Sequence, residues 1–140
     1  MQKLESKMLY IELVTPEKKI FSGKVQSVWF PGSLSPFQVL PNHAPIVSSL
    51  DAGVLKFLDE QNNIVKYAIT GGFVDLQNNK ASIMLEKAIS ADGLKLETVK
   101  LQLEKAKENL KTAKQTEDKT KAQKELDFAK ACLNILQDEN

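Results

Sequence analysis

The chain has 140 residues, 42% of them apolar and 26% charged, which is the balance of a globular protein the size of one ordinary domain. No stretch approaches the roughly 18 unbroken apolar residues of a membrane-spanning helix, and the polar residues 1–7 lack the apolar run of a signal peptide, so we expect a cytosolic chain. The formal net charge of +1 provides no long-range positive field, so we expect no nucleic-acid partner.

The first part of the chain is predicted to form short β-strands. Up to about position 90 it consists of apolar or alternating runs, rich in β-branched and aromatic residues and separated by turn residues. The predicted strands cover residues 9–14, 19–21, 25–30, 37–40, 46–50, 53–58, 64–69, 73–76 and 81–85. Because two sheets of such strands can bury their apolar faces against each other, we predict a β-sandwich, a flattened barrel of about ten short strands, over residues 1–89.

From Asp92 onward, apolar residues recur at the spacing of a helix. One series is Leu96, Val99, Leu103, Ala106, Leu110 and Ala113, and the other is Ala122, Leu126, Ala129, Leu133 and Leu136. Each series makes one seam that is too narrow to be stable alone, so we predict an antiparallel α-helical hairpin over residues 90–140, with its turn at 115–118. One long helix that pairs with another protein is the alternative.

The predicted turn contains no glycine or proline, and Asp118 is its candidate helix N-cap. Nothing in the turn therefore enforces the reversal of the chain. A seam that leaves its partner helix needs another apolar surface, so we hypothesise that the hairpin can open and close.

Few residues in the sequence are suited to catalysis or metal binding. The single cysteine, Cys132, lies among apolar residues at helical spacing and is interpreted as a small buried hydrophobe. His43 is the only histidine, and no Gly-x-Ser-x-Gly elbow accompanies it, so we expect neither a metal site nor a catalytic triad. All 19 basic residues are lysines, which cannot grip a phosphate through two parallel hydrogen bonds as arginine does.

Several strings in the first part of the chain, in their order, resemble the epsilon subunit of F-type ATP synthases of bacteria and organelles. They are Leu-Val-Thr-Pro-Glu at 13–17, Phe-Ser-Gly at 21–23, Phe-Pro-Gly-Ser at 30–33, Val-Leu-Pro-Asn-His-Ala-Pro at 39–45, Gly-Val-Leu at 53–55, Gly-Gly-Phe-Val-Asp at 71–75 and Asn-Asn at 78–79. The resemblance covers residues 8–88, and it extends to the helical tail in architecture more than in letters. It implies a non-catalytic subunit of the rotor, peripheral to the cytoplasmic side of a bacterial inner membrane.

The resemblance also implies three partners and a regulatory role. The sandwich would clamp onto the gamma subunit and sit on the membrane rotor ring of c subunits. The hairpin would permit rotation when folded against the sandwich, and would block ATP hydrolysis when extended into the alpha/beta catalytic head. The alternative is a non-catalytic β-sandwich adaptor whose hairpin binds another helical partner, and an enzyme comes third because nucleophile and metal motifs are missing.

In the resembled family, the loop that contains His43 faces the rotor ring, which makes Pro41, Asn42 and His43 interface candidates. The chain departs from the family at 34–38, Leu-Ser-Pro-Phe-Gln, where glycine and acidic residues are usual. Leu34 or Phe37 would then fill a pocket on the ring. Burial of Phe37 inside the sandwich is the alternative.

Some family members bind regulatory ATP at the base of the tail through Ile-Asp, two variable residues and Arg-Ala. Residues 96–101 are Leu-Glu-Thr-Val-Lys-Leu, which keep the acid at Glu97 and a base at Lys100 but lose the arginine and the alanine. Lysine neutralises phosphate without forking onto two oxygens, so we expect at most a vestigial nucleotide site and no other cofactor. The alternative is a surface pair of Glu97 and Lys100.

The second helix of the predicted hairpin carries a locally basic surface. By the resemblance, Lys121 and Lys124 would meet an acidic segment on the catalytic head when the hairpin is extended. Acidic residues are interleaved with these lysines, so a solvated helix face is the alternative.

Overall fold

The computed structural model of the chain describes residues 7–137. The outer ends of the two predicted domains lie outside the described residues: residues 1–6, which are most of the polar start, and residues 138–140. The elements run in the order β1 (Leu9–Val14), β2 (Lys19–Phe30), β3 (Phe37–Val39), β4 (Ile46–Leu50), β5 (Gly53–Asp59), β6 (Ile64–Ile69), β7 (Gly72–Gln77), β8 (Lys80–Leu85), β9 (Ala88–Ile89), a 3-10 turn (Ala91–Gly93), α1 (Leu96–Thr112) and α2 (Thr116–Gln137).

The nine strands form a two-layered sandwich from one continuous ladder in the order β4-β7-β8-β1-β2-β5-β6-β9, with β3 also paired to β2. The first half of the long strand β2 pairs with β1, and its second half pairs with β3 and β5, so β2 belongs to both layers. The first layer contains β4, β7, β8, β1 and the start of β2, and the second layer contains the end of β2 with β3, β5, β6 and β9. A register shift between Val25 and Ser27 lies where β2 passes from one layer to the other. The predicted β-sandwich followed by an α-helical hairpin is therefore confirmed.

Two details of the strand prediction are wrong. Residues 19–21 and 25–30 are not separate strands, because Ser22 and Gly23 stay in the ladder, where Gly23 pairs with Ile11 of β1. A partner strand holds the backbone extended even where the residue itself favours a turn. The short strand β9 was not predicted, and it pairs with the end of β6.

The main core lies between the two layers of the sandwich. In β1 the alternate residues Leu9, Ile11 and Leu13 are fully buried, as the period-2 pattern predicts. They pack with inward side chains of the other strands, including Phe57 of β5 and Leu76 of β7. This core holds both layers together.

The hairpin is folded against the outer face of the second layer in this structure. Helix α2 packs on β5 and β6, and α1 packs on α2. The alanines of the predicted seam in α2, Ala122 and Ala129, are buried. A second stripe on the same helix, Ala131, Cys132 and Ile135, is also buried, and it belongs to a small core with Ala68 of β6 and Val99 of α1. Only the first of these two stripes was predicted from the spacing of apolar residues.

The turn of the hairpin lies earlier than predicted. Helix α1 ends at Thr112 and α2 begins at Thr116, so the reversal occupies residues 113–115. Asp118 is therefore not the N-cap but a residue of the first helical turn. Its negative charge there interacts favourably with the positive end of the helix dipole. None of the helices in the described range is long and apolar enough to span a membrane.

Candidate interaction sites

The outer face of the first layer carries exposed apolar side chains. Val47 of β4 is 60% exposed, Met84 of β8 is 50% exposed and Phe73 of β7 is 39% exposed. Phe73 pairs across the ladder with Met84, and Met84 pairs with Val14 of β1, so these three side chains form a band across neighbouring strands. Val47 lies on the same face of β4 as Ser49, which pairs with Phe73, and it extends the band diagonally. We call Val14, Val47, Phe73 and Met84 the apolar band.

The apolar band continues into a shallow groove at the ends of its strands. The groove is lined by Val14, Thr15, Pro16, Gly72, Met84, Leu85 and Glu86. The outer face of the second layer is covered by α2, whereas nothing in residues 7–137 covers the apolar band. Exposed apolar surface of this kind is typical of a binding site for another protein.

The apolar band was not predicted, although the sequence contains a signal for it. The run Ile83, Met84 and Leu85 is apolar on both faces of one strand, and only Ile83 and Leu85 are buried. A strand of an ordinary half-exposed sheet would alternate between apolar and polar residues. The extra apolar residue marks the band.

The loop between β2 and β3 is tied down and presents Leu34 at its surface. The backbone N–H of Ser33 donates to the carbonyl of Ser49 at 3.1 Å, and the Ser33 hydroxyl donates to the Asp51 carboxylate at 2.9 Å. A side chain on Gly32 would come within 2.8 Å of the Phe37 ring, so the loop packs closely. Leu34 itself is 102% exposed, which leaves its whole side chain available for contact.

Phe37 is half-buried and packs against the main core, with its ring centroid 5.2 Å from that of Phe30. This contact agrees with the alternative in which Phe37 belongs to the sandwich. Leu34 is therefore the apolar side chain that segment 34–38, which differs from the family pattern, leaves exposed to a partner.

Pro41, Asn42 and His43 form a turn before β4. The backbone N–H of His43 donates to the carbonyl of Leu40 at 3.2 Å, and Asn42 adopts a left-handed φ of 66°. The backbone N–H of Asn42 donates to the Asn79 side chain at 2.7 Å, which links this turn to the β7–β8 turn. The His43 ring is exposed, and its Nδ1 lies 2.7 Å from the carbonyl of Ala44.

The structure does not bring Leu34 next to Pro41, Asn42 and His43. The Leu34 loop is bridged to the last residue of β4, through Gly32 and Leu50. The His43 turn precedes Ile46, the first residue of the same strand. The four predicted ring contacts therefore lie on two separate loops.

Glu97 and Lys100 are exposed in the first turns of α1. In the part of the chain that the structure describes, no ion pair joins these two residues, whereas Glu104 and Lys107 of the same helix do pair at 3.6 Å. The alternative of a surface pair between Glu97 and Lys100 is therefore not formed in this structure. The two side chains offer one negative and one positive group on an open helix face.

Lys121 and Lys124 have different surroundings. Lys121 is exposed near the start of α2. The Lys124 ammonium donates to the Glu86 carboxylate at 2.7 Å, across the boundary between hairpin and sandwich. Within residues 7–137, no group of three or more His, Cys, Asp or Glu side chains is placed to hold a metal ion.

Cys132 is fully buried between the hairpin and the second layer, as the sequence analysis predicted for a small hydrophobe. Burial raises the pKa of the Cys132 thiol, because the thiolate would lose its hydration; the positive charge of Lys87 opposes this shift. A thiol of this kind is inert while it stays covered.

Comparisons with known proteins agree with the strings quoted above. Residues 8–91 match the family described as ATP synthase, Delta/Epsilon chain, beta-sandwich domain. The ATP synthase epsilon chain of Geotalea daltonii is 36% identical over 104 residues, which are 74% of each chain. The chloroplastic ATP synthase epsilon chain of Tetradesmus obliquus is 34% identical over 130 residues, 91% of this chain and 93% of the relative.

Solved structures show the same fold. A chain in the cryo-EM structure of the Euglena gracilis mitochondrial ATP synthase, OSCP/F1/c-ring in rotational state 1, superposes with a TM-score of 0.81. It is 17% identical, and the match covers 94% of this chain and 82% of that one. A chain of the Tetrahymena thermophila mitochondrial ATP synthase central stalk/c-ring superposes with a TM-score of 0.68 at 16% identity, over 96% of this chain and 100% of that one.

Proposed function

This chain belongs to the ATP synthase delta/epsilon chain family, and we propose that it is the epsilon subunit of the central stalk, which couples the membrane rotor ring to the catalytic head through gamma. The match to the chloroplastic epsilon chain of Tetradesmus obliquus carries the proposal, because its 91% coverage of this chain takes in the hairpin as well as the sandwich. In this role the chain catalyses no reaction itself. It would lie peripherally on the cytoplasmic side of a bacterial inner membrane.

Residues 1–89 are assigned to the sandwich domain and residues 90–140 to the regulatory hairpin. The last strand, β9, ends at Ile89, and α1 begins at Leu96. The segment between them is the joint about which the hairpin would move.

The gamma subunit is proposed to dock on the apolar band. The band is an uncovered apolar surface on a rigid two-layered scaffold, and protein interfaces concentrate their binding energy in such apolar centres. The other outer face of the sandwich is occupied by α2, so the band is the outer sheet face that the folded state leaves open to a partner. This assignment leaves the two loops, at 31–36 and 40–45, for the ring.

The rotor ring of c subunits is proposed to contact Leu34 on one loop and Pro41, Asn42 and His43 on the other. The hydrogen bonds of Ser33 and Asn42 hold both loops in place before binding, which reduces the entropy lost on association. Leu34 would contribute an apolar contact that is not screened by salt as an ion pair is.

The hairpin is proposed to act as a brake on ATP hydrolysis. The folded arrangement seen here would permit rotation, and an extended arrangement would reach the alpha/beta catalytic head. Lys121 and Lys124 would then face an acidic surface of the head. The reversal at 113–115 contains no glycine or proline, so the covalent structure does not oppose a change of hairpin geometry.

ATP is proposed to bind at most weakly at the vestigial site of Glu97 and Lys100. Both side chains are exposed, and a single ammonium group grips a phosphate less firmly than a guanidinium does. Calorimetry with magnesium-free ATP checks this. Submillimolar binding that is lost in Lys100→Ala would show a working site instead of a vestigial one.

Co-purification with gamma and the rotor ring tests the proposed place in the stalk. The double variant Phe73→Ser, Met84→Ser should lose gamma binding, whereas Leu101→Ser should keep it, because Leu101 is a 72% exposed side chain on the hairpin. Wild-type chain that retains neither gamma nor ring would favour the alternative, an adaptor whose hairpin binds another helical partner.

A further inference from the structure

Two polar contacts join the hairpin to the sandwich beside their shared apolar core. The Lys124 ammonium of α2 lies 2.7 Å from Oε2 of Glu86, which follows β8, and the Thr70 hydroxyl lies 3.5 Å from the same oxygen. The neighbouring Lys87 places its ammonium 5.4 Å from the centroid of the Phe128 ring. Two consecutive residues of the sandwich therefore hold two residues of α2 that are one helical turn apart.

The other acidic side chains near Lys124 have partners of their own. Asp127, on the same helix, accepts a hydrogen bond from the Gln123 side chain at 2.9 Å. Asp51, which lines the same cleft, accepts one from the Ser33 hydroxyl at 2.9 Å. Glu86 is the acidic group that Lys124 contacts within ion-pair distance in residues 7–137.

From these contacts we propose that Glu86 and Lys124, with Lys87 and Phe128 beside them, form an electrostatic latch that keeps the hairpin on the sandwich, and that an acidic surface opens the latch by competing with Glu86 for Lys124. The inference rests on the proposed function, in which the hairpin leaves the sandwich. It adds the residue pair that sets how readily the hairpin leaves.

The exposure of the pair fits a contact that shifts the hairpin between two states. The side chains of Lys124 and Glu86 are 47% and 59% exposed, so water and salt weaken their attraction. The small apolar core around Cys132 and Ile135 also joins the hairpin to the sandwich, and it does so whether or not the ion pair is formed. The latch therefore changes the population of the open hairpin by a small factor.

Lys124 has a different partner in each proposed state. In the folded state its ammonium is bonded to Glu86 of the sandwich. In the extended state the same ammonium would face the catalytic head, far from Glu86. The Lys124 ammonium cannot contact both partners at once. Pairing with Glu86 therefore disfavours the extended state, and pairing with the head disfavours the folded state.

Cys132 gives a direct measure of latch opening in the full chain. It is the single cysteine of the sequence, and its thiol is covered by both the hairpin and β6. A colourimetric disulfide reagent such as DTNB therefore reacts only when the hairpin lifts. The reaction rate is proportional to the population of the open form when opening and closing are fast.

The test compares four chains in a thermodynamic cycle: wild type, Glu86→Gln, Lys124→Gln and the double variant. Each single change should raise the reaction rate of Cys132 about two- to fivefold, and the double variant should react no faster than the faster single variant. The matched control is Glu104→Gln, which breaks an ion pair within α1 and should leave the rate unchanged.

A second arm uses a poly-glutamate peptide as the acidic competitor. The peptide should raise the rate in wild type about twofold and should have no effect in Lys124→Gln. Equal rates in all four chains, or additive effects of the two changes, would overturn the latch. If the cycle shows that Glu86 and Lys124 are coupled but the chain does not inhibit ATP hydrolysis, the latch is supported and the proposed brake is contradicted.

Discussion

Replacement of Ile135 by alanine should release the hairpin from the sandwich. Ile135 is 6% exposed and packs with Ala68 of β6, Val99 of α1 and Cys132. An Ile→Ala change in a core costs about 2–5 kcal/mol, and this small core at the edge of the molecule can relax, so we expect about 2–3 kcal/mol. Because each 1.4 kcal/mol is about a factor of ten, the rate of Cys132 modification should rise roughly 30- to 150-fold.

The matched control is Ile83→Ala in the main core. Ile83 is 1% exposed and lies in β8, so this change should lower the urea midpoint of the sandwich, followed by the fluorescence of Trp29, the single tryptophan. It should leave Cys132 modification unchanged, because the sandwich is intact in both hairpin states. Equal acceleration by Ile83→Ala and Ile135→Ala would refute this reasoning, since it would mean that only global unfolding exposes the thiol.

Three further outcomes are expected. Gly72→Ala should lower the free energy of unfolding in urea by about 1–3 kcal/mol, because its new Cβ would lie 2.3 Å from the Met84 carbonyl oxygen; an unchanged midpoint would contradict this packing. Leu34→Ser should leave stability within about 0.5 kcal/mol but weaken ring binding several-fold, whereas Leu101→Ser should leave ring binding unchanged. Burial raises the pKa of the Tyr67 hydroxyl above its usual 10.0, so the folded state holds the proton more tightly and stability should fall as the pH rises beyond that value. Tyr67→Phe should lose less stability over the same alkaline range in urea titrations, and parallel curves would contradict the assignment.

The strand pattern of the sandwich was largely predictable from the sequence, because turn residues mark the ends of most of its strands. Asn62, Asn78 and Asn79 adopt left-handed φ values in the tight turns that end the neighbouring strands, as their residue type suggests. The continuity of β2 through Gly23 was not predictable, because it depends on pairing with β1 over a distant part of the chain. At that position, pairing with a neighbouring strand outweighs the preference of glycine for a turn.

The hairpin was predictable as a pair of helices but not as a docked layer. The first seam of α2 follows from the spacing of Ala122, Leu126 and Ala129, whereas Cys132 and Ile135 form a stripe on another face. Two stripes on one helix indicate two packing partners, and the second partner here is the outer face of the sandwich. The contact between Glu86 and Lys124 spans 38 positions and has no local signature in the sequence.

The candidate interface residues were only partly predictable. The resemblance pointed to His43 directly and to Leu34 through the departure from the family at 34–38, and both are exposed. It could not reveal that they lie on separate loops, since this depends on how both loops are bonded to β4 and to Asn79. The apolar band was missed because Val14 of β1 and Val47 of β4 lie far in sequence from the β7–β8 hairpin that carries Phe73 and Met84, so their common face follows only from the strand order.

The most direct test of the proposed brake is ATP hydrolysis by a reconstituted alpha/beta/gamma head. The full chain should inhibit hydrolysis, and a chain that ends at Ser90, which keeps all nine strands, should bind gamma without inhibiting. Circular dichroism and urea unfolding establish that the shortened chain is folded. Equal inhibition by both chains, or no inhibition by the full chain, would contradict the hairpin's role as the regulator.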